Sequence, residues 1–119
     1  GGAMVNRASG PGLVGAPTQP IYAASKHAVV GMTKTAAAEY GRAGVRINSV
    51  CPGVINTPML ARSLEREPGR EKKLRNLHPI GRFGEAADIA NTILFLCSPA
   101  GANIAGQAIA VDGDAQALV

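Results

Sequence analysis

Three short apolar runs, each separated by enough chain for a helix, limit what this sequence can fold into. Residues 3 to 8 (Ala-Met-Val-Asn-Arg-Ala) read as a short strand, and Val45 to Cys51 as a buried one, β-branched at Val45, Ile47 and Val50. The run from Gly106 to Asp112, with Ala108, Ile109, Ala110 and Val111, reads as a third. Between the first two, Ile21 to Tyr40 is an Ala-rich helix broken only by Gly31 and stopped by Gly41 and Gly44. Pro58 to Leu77 reads as two short helices with a hinge at Pro68-Gly69, and Asn76 to Gly84 as a loop. Glu85 to Cys97 sets Ala86, Ile89, Ala90, Ile93, Leu94 and Cys97 at helical spacing, and Ser98-Pro99 ends it. Strand, helix, strand, helices, strand implies crossover connections, hence a parallel sheet of about three strands in a doubly wound α/β arrangement. A parallel sheet needs both faces covered and its strands flanked, so the chain reads as part of a larger sheet.

Composition narrows the function classes. At 119 residues there is room for one domain at most. Aromatic residues make up 3%, so the core must be built from Ala, Val, Ile and Leu. No apolar run approaches the length needed to span a bilayer. The opening Gly1-Gly2-Ala3-Met4-Val5 has neither the basic nor the apolar region of a signal peptide, and a cytoplasmic location is expected. Cys51 and Cys97 form no Cys-x-x-Cys pair and are expected to be reduced thiols. His27 and His78 lack ligand spacing, so no metal site is expected. The net charge of +4 is modest, and the six basic residues between Arg62 and Arg75 alternate with Glu65, Glu67 and Glu71. That mixture suits a solvated helix face and not a nucleic-acid surface.

The residues with chemical potential lie at the ends of the expected strands. Tyr22 and Lys26 stand four apart on the first helix and so share a face. A phenol is a reluctant proton shuttle at neutral pH, and a cation held beside it favours its ionised form. Such a pair can exchange a proton with a carbonyl or an alcohol oxygen. A surface tyrosine beside a solvated lysine is the blander reading of the same spacing. Ser9 follows the first strand, where α/β sheets build their sites, and its hydroxyl could orient a substrate oxygen. The alternative is a turn serine that satisfies its own backbone. With no His or Asp partner at a suitable spacing, Ser9 is not an acyl-transfer nucleophile. Gly10-Pro11-Gly12-Leu13-Val14-Gly15 matches Gly-x-Gly-x-x-Gly in letters, but Pro17 and Pro20 follow where a dinucleotide fingerprint must open a helix. The match reads as an accident of a flexible loop from Gly10 to Pro20. After the second strand, Pro52-Gly53 turns the backbone sharply, Ile55 offers backbone groups outside the strand ladder, and Thr57 offers a hydroxyl. Pro-Gly also serves as an ordinary turn.

Taken together in this order and spacing, these segments resemble the short-chain dehydrogenase/reductase family across essentially the whole chain. Val5-Asn6-Arg7-Ala8-Ser9 is similar to the family's strand into its serine, and Tyr22 and Lys26 match its Tyr-x-x-x-Lys. Asn48 to Thr57 resembles its Asn-x-x-x-Pro-Gly turn and following threonine; Pro79-Ile80-Gly81-Arg82 and Val111-Asp112-Gly113 resemble its C-terminal landmarks. The resemblance implies a Rossmann-like fold, with residues 1–119 as the C-terminal, catalytic half of one domain and the N-terminal cofactor-binding half absent. It implies Tyr22 as general acid/base, Lys26 as its partner and ribose ligand, and Ser9 as the residue that orients the substrate. Pro52, Gly53, Ile55 and Thr57 would then hold the nicotinamide of NAD or NADP, and the substrate would be a small alcohol or ketone. Val14, Ile21 and Met59 lean towards an apolar one. Pro58 to Leu77 corresponds to the substrate-covering region, and the Ala-rich helix to the surface on which relatives form homo-oligomers. No residue matches the family's N-terminal glycine-rich turn, its NAD/NADP-selecting residue, its Asn-Asn-Ala-Gly stretch or its relay asparagine, so the chain alone is expected to be inactive. Asp114 stands where a second glycine is usual. The competing expectation is a non-catalytic interaction or oligomerisation module on the same fold.

Overall fold

The computed structural model describes residues 1–12 and 18–115. Strand β1 (Gly2–Arg7) leads through a 3-10 turn at Gly10–Gly12 to helix α1 (Pro20–Tyr40). Strand β2 (Val45–Pro52) is followed by α2 (Pro58–Arg66), α3 (Arg70–Asn76), α4 (Ala86–Cys97) and strand β3 (Ala108–Val111). The sheet order is β1-β2-β3, parallel throughout, with Gly2 opposite Val45 and Ser49 opposite Ala108. The expected element order, the parallel sheet and the break between α2 and α3 are all present. Several boundaries differ: β1 spans Gly2–Arg7 and not 3 to 8, β2 reaches Pro52, Glu85 caps α4 from outside, and Pro20 is the first residue of α1, because a proline at that position lacks only a donor that would be unpaired anyway. β3 begins two residues later than expected, after Gly106, whose φ of 72° takes it out of the strand region. The loop expected from Gly10 is ordered at its start, and Leu13 to Pro17 lie outside the described residues.

Side chains alternate across the sheet, so β2 feeds two separate cores. Cys51 packs with Ala8 and Val30 under α1; Val50 packs with Ile89 and Leu96 under α4, joined by Val5, Ile109 and Val111. Full burial of Leu96 and Val50 contributes about 1.5–3 kcal/mol each. Leu96 was not part of the apolar stripe read from the sequence. Ala90 and Leu94, which were, are exposed, because the stripe is wider than the three strands beneath it.

Polar side chains tie the helices to the sheet. Asn6 donates to the Thr33 hydroxyl on α1 at 3.0 Å. Arg46 Nη1 donates to the carbonyls of Leu96 and Gly101, both at 2.7 Å, and Nη2 to that of Ser98 at 3.2 Å. These carbonyls lie at and just beyond the α4 C-terminus, where a cation also meets the negative end of the helix. Asn48, buried, donates to Ile104 and accepts from the Gln107 amide, which fixes the approach of β3. Among the described residues no strand pairs with the outer edge of β1, and no helix is long and apolar enough to cross a membrane.

Candidate active site

The C-terminal ends of β1 and β2 open into one cleft of about 780 Å³. Ser9, Tyr22, Lys26, Pro52, Gly53, Ile55 and Thr57 all line it, so the structure brings together the residues expected to meet substrate and cofactor; of those expected to make the pocket apolar, Met59 lines it and Ile21, exposed on α1, does not. Its far wall is apolar, formed by Met59 and Leu60 of α2 and by Ile89 and Ile93 of α4.

Helix α1 sets the first pair. Lys26 Nζ lies 5.4 Å from the centre of the Tyr22 ring, as i, i+4 neighbours on one face do. Tyr22 is 45% exposed, so its phenol is open to the cleft. The turn after Ser9 is seated on the same helix. The Ser9 carbonyl accepts from the Gly12 amide at 2.9 Å, and a Cβ at Gly12 would come within 2.9 Å of the Lys26 carbonyl. Gly12 therefore permits the contact that holds Ser9 beside the Tyr22–Lys26 helix. This corrects the expectation of a flexible loop here. The glycine has no role in a dinucleotide fingerprint; it is a point of close backbone approach. The remaining residues of the letter match, Leu13 to Gly15, lie outside the described residues, as does Val14 in its expected role of shaping the pocket.

The turn after β2 forms the opposite lip. Gly84 donates to the Val54 carbonyl at 2.9 Å and accepts from the Asn56 amide at 2.8 Å, an isolated parallel bridge centred on Ile55. A bridge of that kind uses the residues either side of Ile55 and leaves its own amide and carbonyl directed away from Gly84. Thr57 caps α2, its hydroxyl oxygen accepting from the Leu60 amide at 3.2 Å, which leaves the hydroxyl proton available to a ligand.

His78 braces this lip from behind, a role its sequence position did not reveal. It is 3% exposed. The Val54 amide donates to its Nε2 at 3.2 Å, so the ring proton sits on Nδ1, which donates to the Leu74 carbonyl at 2.8 Å. A Cβ at Gly53 would lie within about 3 Å of Asp112 and His78, so only glycine lets the turn pack against them. The Pro-Gly dipeptide is thus a packing requirement as well as a turn. Cys51 lies just before this turn, and burial raises its thiol above the ordinary value; the Asp112 charge adds to the rise, while the Ser49 hydroxyl and Ser9 amide oppose it.

Arg7 also lines the cleft and was not among the expected site residues. The sequence signal was its place at the carboxyl end of the first strand, two residues before Ser9.

A parallel Rossmann-like sheet with a cleft at its strand ends places the chain among the doubly wound α/β proteins. The family model described as "Enoyl-(Acyl carrier protein) reductase" matches residues 1–114. The chain belongs to this family, within the short-chain dehydrogenases/reductases. It is 44% identical over 117 residues to a 2,5-dichloro-2,5-cyclohexadiene-1,4-diol dehydrogenase of Sphingobium indicum, covering 98% of this chain and 47% of the relative. It is 45% identical over 113 residues to a cyclohexanol dehydrogenase of Acinetobacter sp., covering 95% and 43%. The solved structure "ElxO with NADP Bound" superposes with a TM-score of 0.90 at 36% identity, covering 97% of this chain and 46% of that one. The chain thus spans just under half the length of the relatives it matches.

Proposed function

We propose that this chain supplies the catalytic side of a nicotinamide-dependent oxidoreductase that interconverts small alcohols and carbonyl compounds. The observation that carries the proposal is the gathering of Ser9, Tyr22 and Lys26 with Pro52, Gly53, Ile55 and Thr57 around one cleft. The residues present fit the nicotinamide–ribose end of NAD or NADP. Among the described residues the lining holds no carboxylate to repel an anionic nucleotide, Lys26 is a donor for ribose hydroxyls, and Ile55 and Thr57 offer backbone groups and a hydroxyl for a carboxamide. The cofactor, when bound, supplies or accepts the hydride. Ser9 donates to the substrate oxygen and holds it towards Tyr22. In reduction Tyr22 gives its phenolic proton to that oxygen as the carbonyl becomes an alcohol; in oxidation it takes the proton back. Lys26 provides the positive charge beside the phenol. The apolar wall of Met59, Leu60, Ile89 and Ile93 excludes water and favours a hydrophobic substrate body.

Nothing in the sequence would cradle the pyrophosphate or adenosine, so the chain by itself is proposed to be inactive. It corresponds to the C-terminal half of a single domain. Nicotinamide mononucleotide, which carries only the fitted end, tests the reading on the 119-residue chain. Saturation-transfer NMR is expected to show transfer to its nicotinamide and ribose protons, and loss of that transfer in Lys26→Ala. Equal transfer in the variant, or none with the folded chain, counts against the site. A second reading, a non-catalytic oligomerisation module, draws on the open β1 edge and on Ile21, Met32 and Tyr40 exposed along α1. A stable homodimer with no affinity for the mononucleotide would favour it.

A further inference from the structure

Arg7 lines the cleft but has no role in the chemistry described above. It lies on the sheet face that turns towards α4, which it shares with Val5, Val50, Ile109 and Val111 and with the polar Arg46 and Asn48. The side chain is exposed, so its guanidinium is free to reach a ligand in the cleft. Its guanidinium, like those of Arg42, Arg62 and Arg66, makes no hydrogen bond or ion pair with any described residue, but of these four only Arg7 lines the cleft. It projects at the carboxyl end of β1, the end at which open α/β sheets take their ligands. Among the described residues that line the cleft there is one other charged side chain, Lys26, and no Asp or Glu. Two cations facing a cleft with an apolar wall concentrate positive potential there.

We propose that Arg7 is the anion anchor of this cleft: its guanidinium receives a carboxylate, phosphate or sulfonate group on the ligand whose reacting carbon lies against Ser9 and Tyr22. The inference rests on the oxidoreductase reading above and adds a substrate class to it, an alcohol or carbonyl compound that carries an anionic group. The planar guanidinium matches such groups with two parallel hydrogen bonds, which neutral analogues cannot accept with comparable strength. The same chemistry is present in the phosphate of a nicotinamide nucleotide, so the anion has two possible sources.

The test uses the 119-residue chain labelled with nitrogen-15 and three probes: levulinate, its methyl ester, and inorganic pyrophosphate. The Arg7 Nε–Hε resonance reports the anion and the Tyr22 ring reports the carbonyl. Levulinate is expected to move both saturably and the ester only Tyr22. Arg7→Gln, a change at an exposed position, is expected to weaken levulinate about tenfold without altering the ester's effect. Arg7→Lys should recover part of the loss, because the charge returns without the fork. A response of Arg7 to pyrophosphate alone supports the anchor and assigns it to a nucleotide phosphate. Responses of Arg7 to the anions with none of Tyr22 to either carbonyl probe support the anchor and overturn the oxidoreductase reading. Equal binding of the anions by the wild-type chain and Arg7→Gln overturns the proposal, as does Tyr22 moving equally with levulinate and ester while Arg7 stays still.

Discussion

Cys51 and Cys97 differ in environment, and that difference is open to direct measurement. Cys51 is fully buried and its thiol is raised by desolvation, while Cys97 is exposed on α4. A thiol reagent at neutral pH is expected to label one cysteine in the folded chain and two after denaturation. The raised value also carries a pH dependence. As pH rises past the thiol's usual value, about 8.5, the unfolded chain loses a proton that the folded chain keeps, so stability falls in that window. Denaturation midpoints between pH 8 and 10 should therefore drop less steeply in Cys51→Ala than in the wild type. The sequence could show that neither cysteine had a Cys-x-x-Cys partner, but not which was buried, because that depends on strand alternation in the finished sheet. Tyr22 and Lys26 were legible because a separation of four on a helix fixes their geometry locally. His78 and Gly12 were not, because their partners, Val54 and Lys26, lie 24 and 14 residues away along the chain.

At the scale of elements, α4 is held at both ends by charged side chains. At its N-terminus Asp88 and Glu85 form a capping box; Asp88 accepts from the Glu85 amide at 2.8 Å and from Arg82 at 3.2 Å. The amide bond first, and Arg82 second, hold the Asp88 carboxyl below its ordinary value. Its contribution is present above the unfolded value of about 3.9 and disappears as pH falls through the lower folded value. An acid titration followed by circular dichroism should show a loss of helix below about pH 4 that Asp88→Asn lacks. At the other end, Arg46→Ala removes a charged donor from four carbonyls, leaves that of Leu96 without its side-chain donor, and is expected to cost about 2–3 kcal/mol in urea denaturation. Arg46→Lys should recover only a fraction, since one ammonium cannot span the same fork. The helix itself was readable from its apolar spacing. Its C-terminal anchor was not, because Arg46 stands 50 residues before Leu96 in the chain.

The whole molecule is more extended than a complete domain of its length. Its radius of gyration is 15.5 Å, against about 13.5 Å for a compact chain of this size, and it measures 50 × 28 × 23 Å. The open β1 edge and the exposed Met4, Leu94 and Phe95 belong to the same picture of a sheet wanting further cover. The open edge was legible in the order of elements, because three parallel strands cannot cover their own edges. Of the cleft's apolar wall only Met59 was legible, since the wall joins α2 and α4 across α3 and its flanking loops. The central claim, that Tyr22 is the proton-transfer group of a nicotinamide-dependent reaction, is best tested on a chimera. The chain would replace the matching part of the Sphingobium dehydrogenase, to which it is 44% identical over 117 residues. The measurement is the turnover of secondary alcohols, read as reduced nicotinamide, in the chimera and in its Tyr22→Phe variant. The account predicts activity in the first and a loss of about 10²–10⁴ in kcat in the second, with nucleotide binding retained. A folded, nucleotide-binding chimera whose turnover is unchanged by Tyr22→Phe would contradict it.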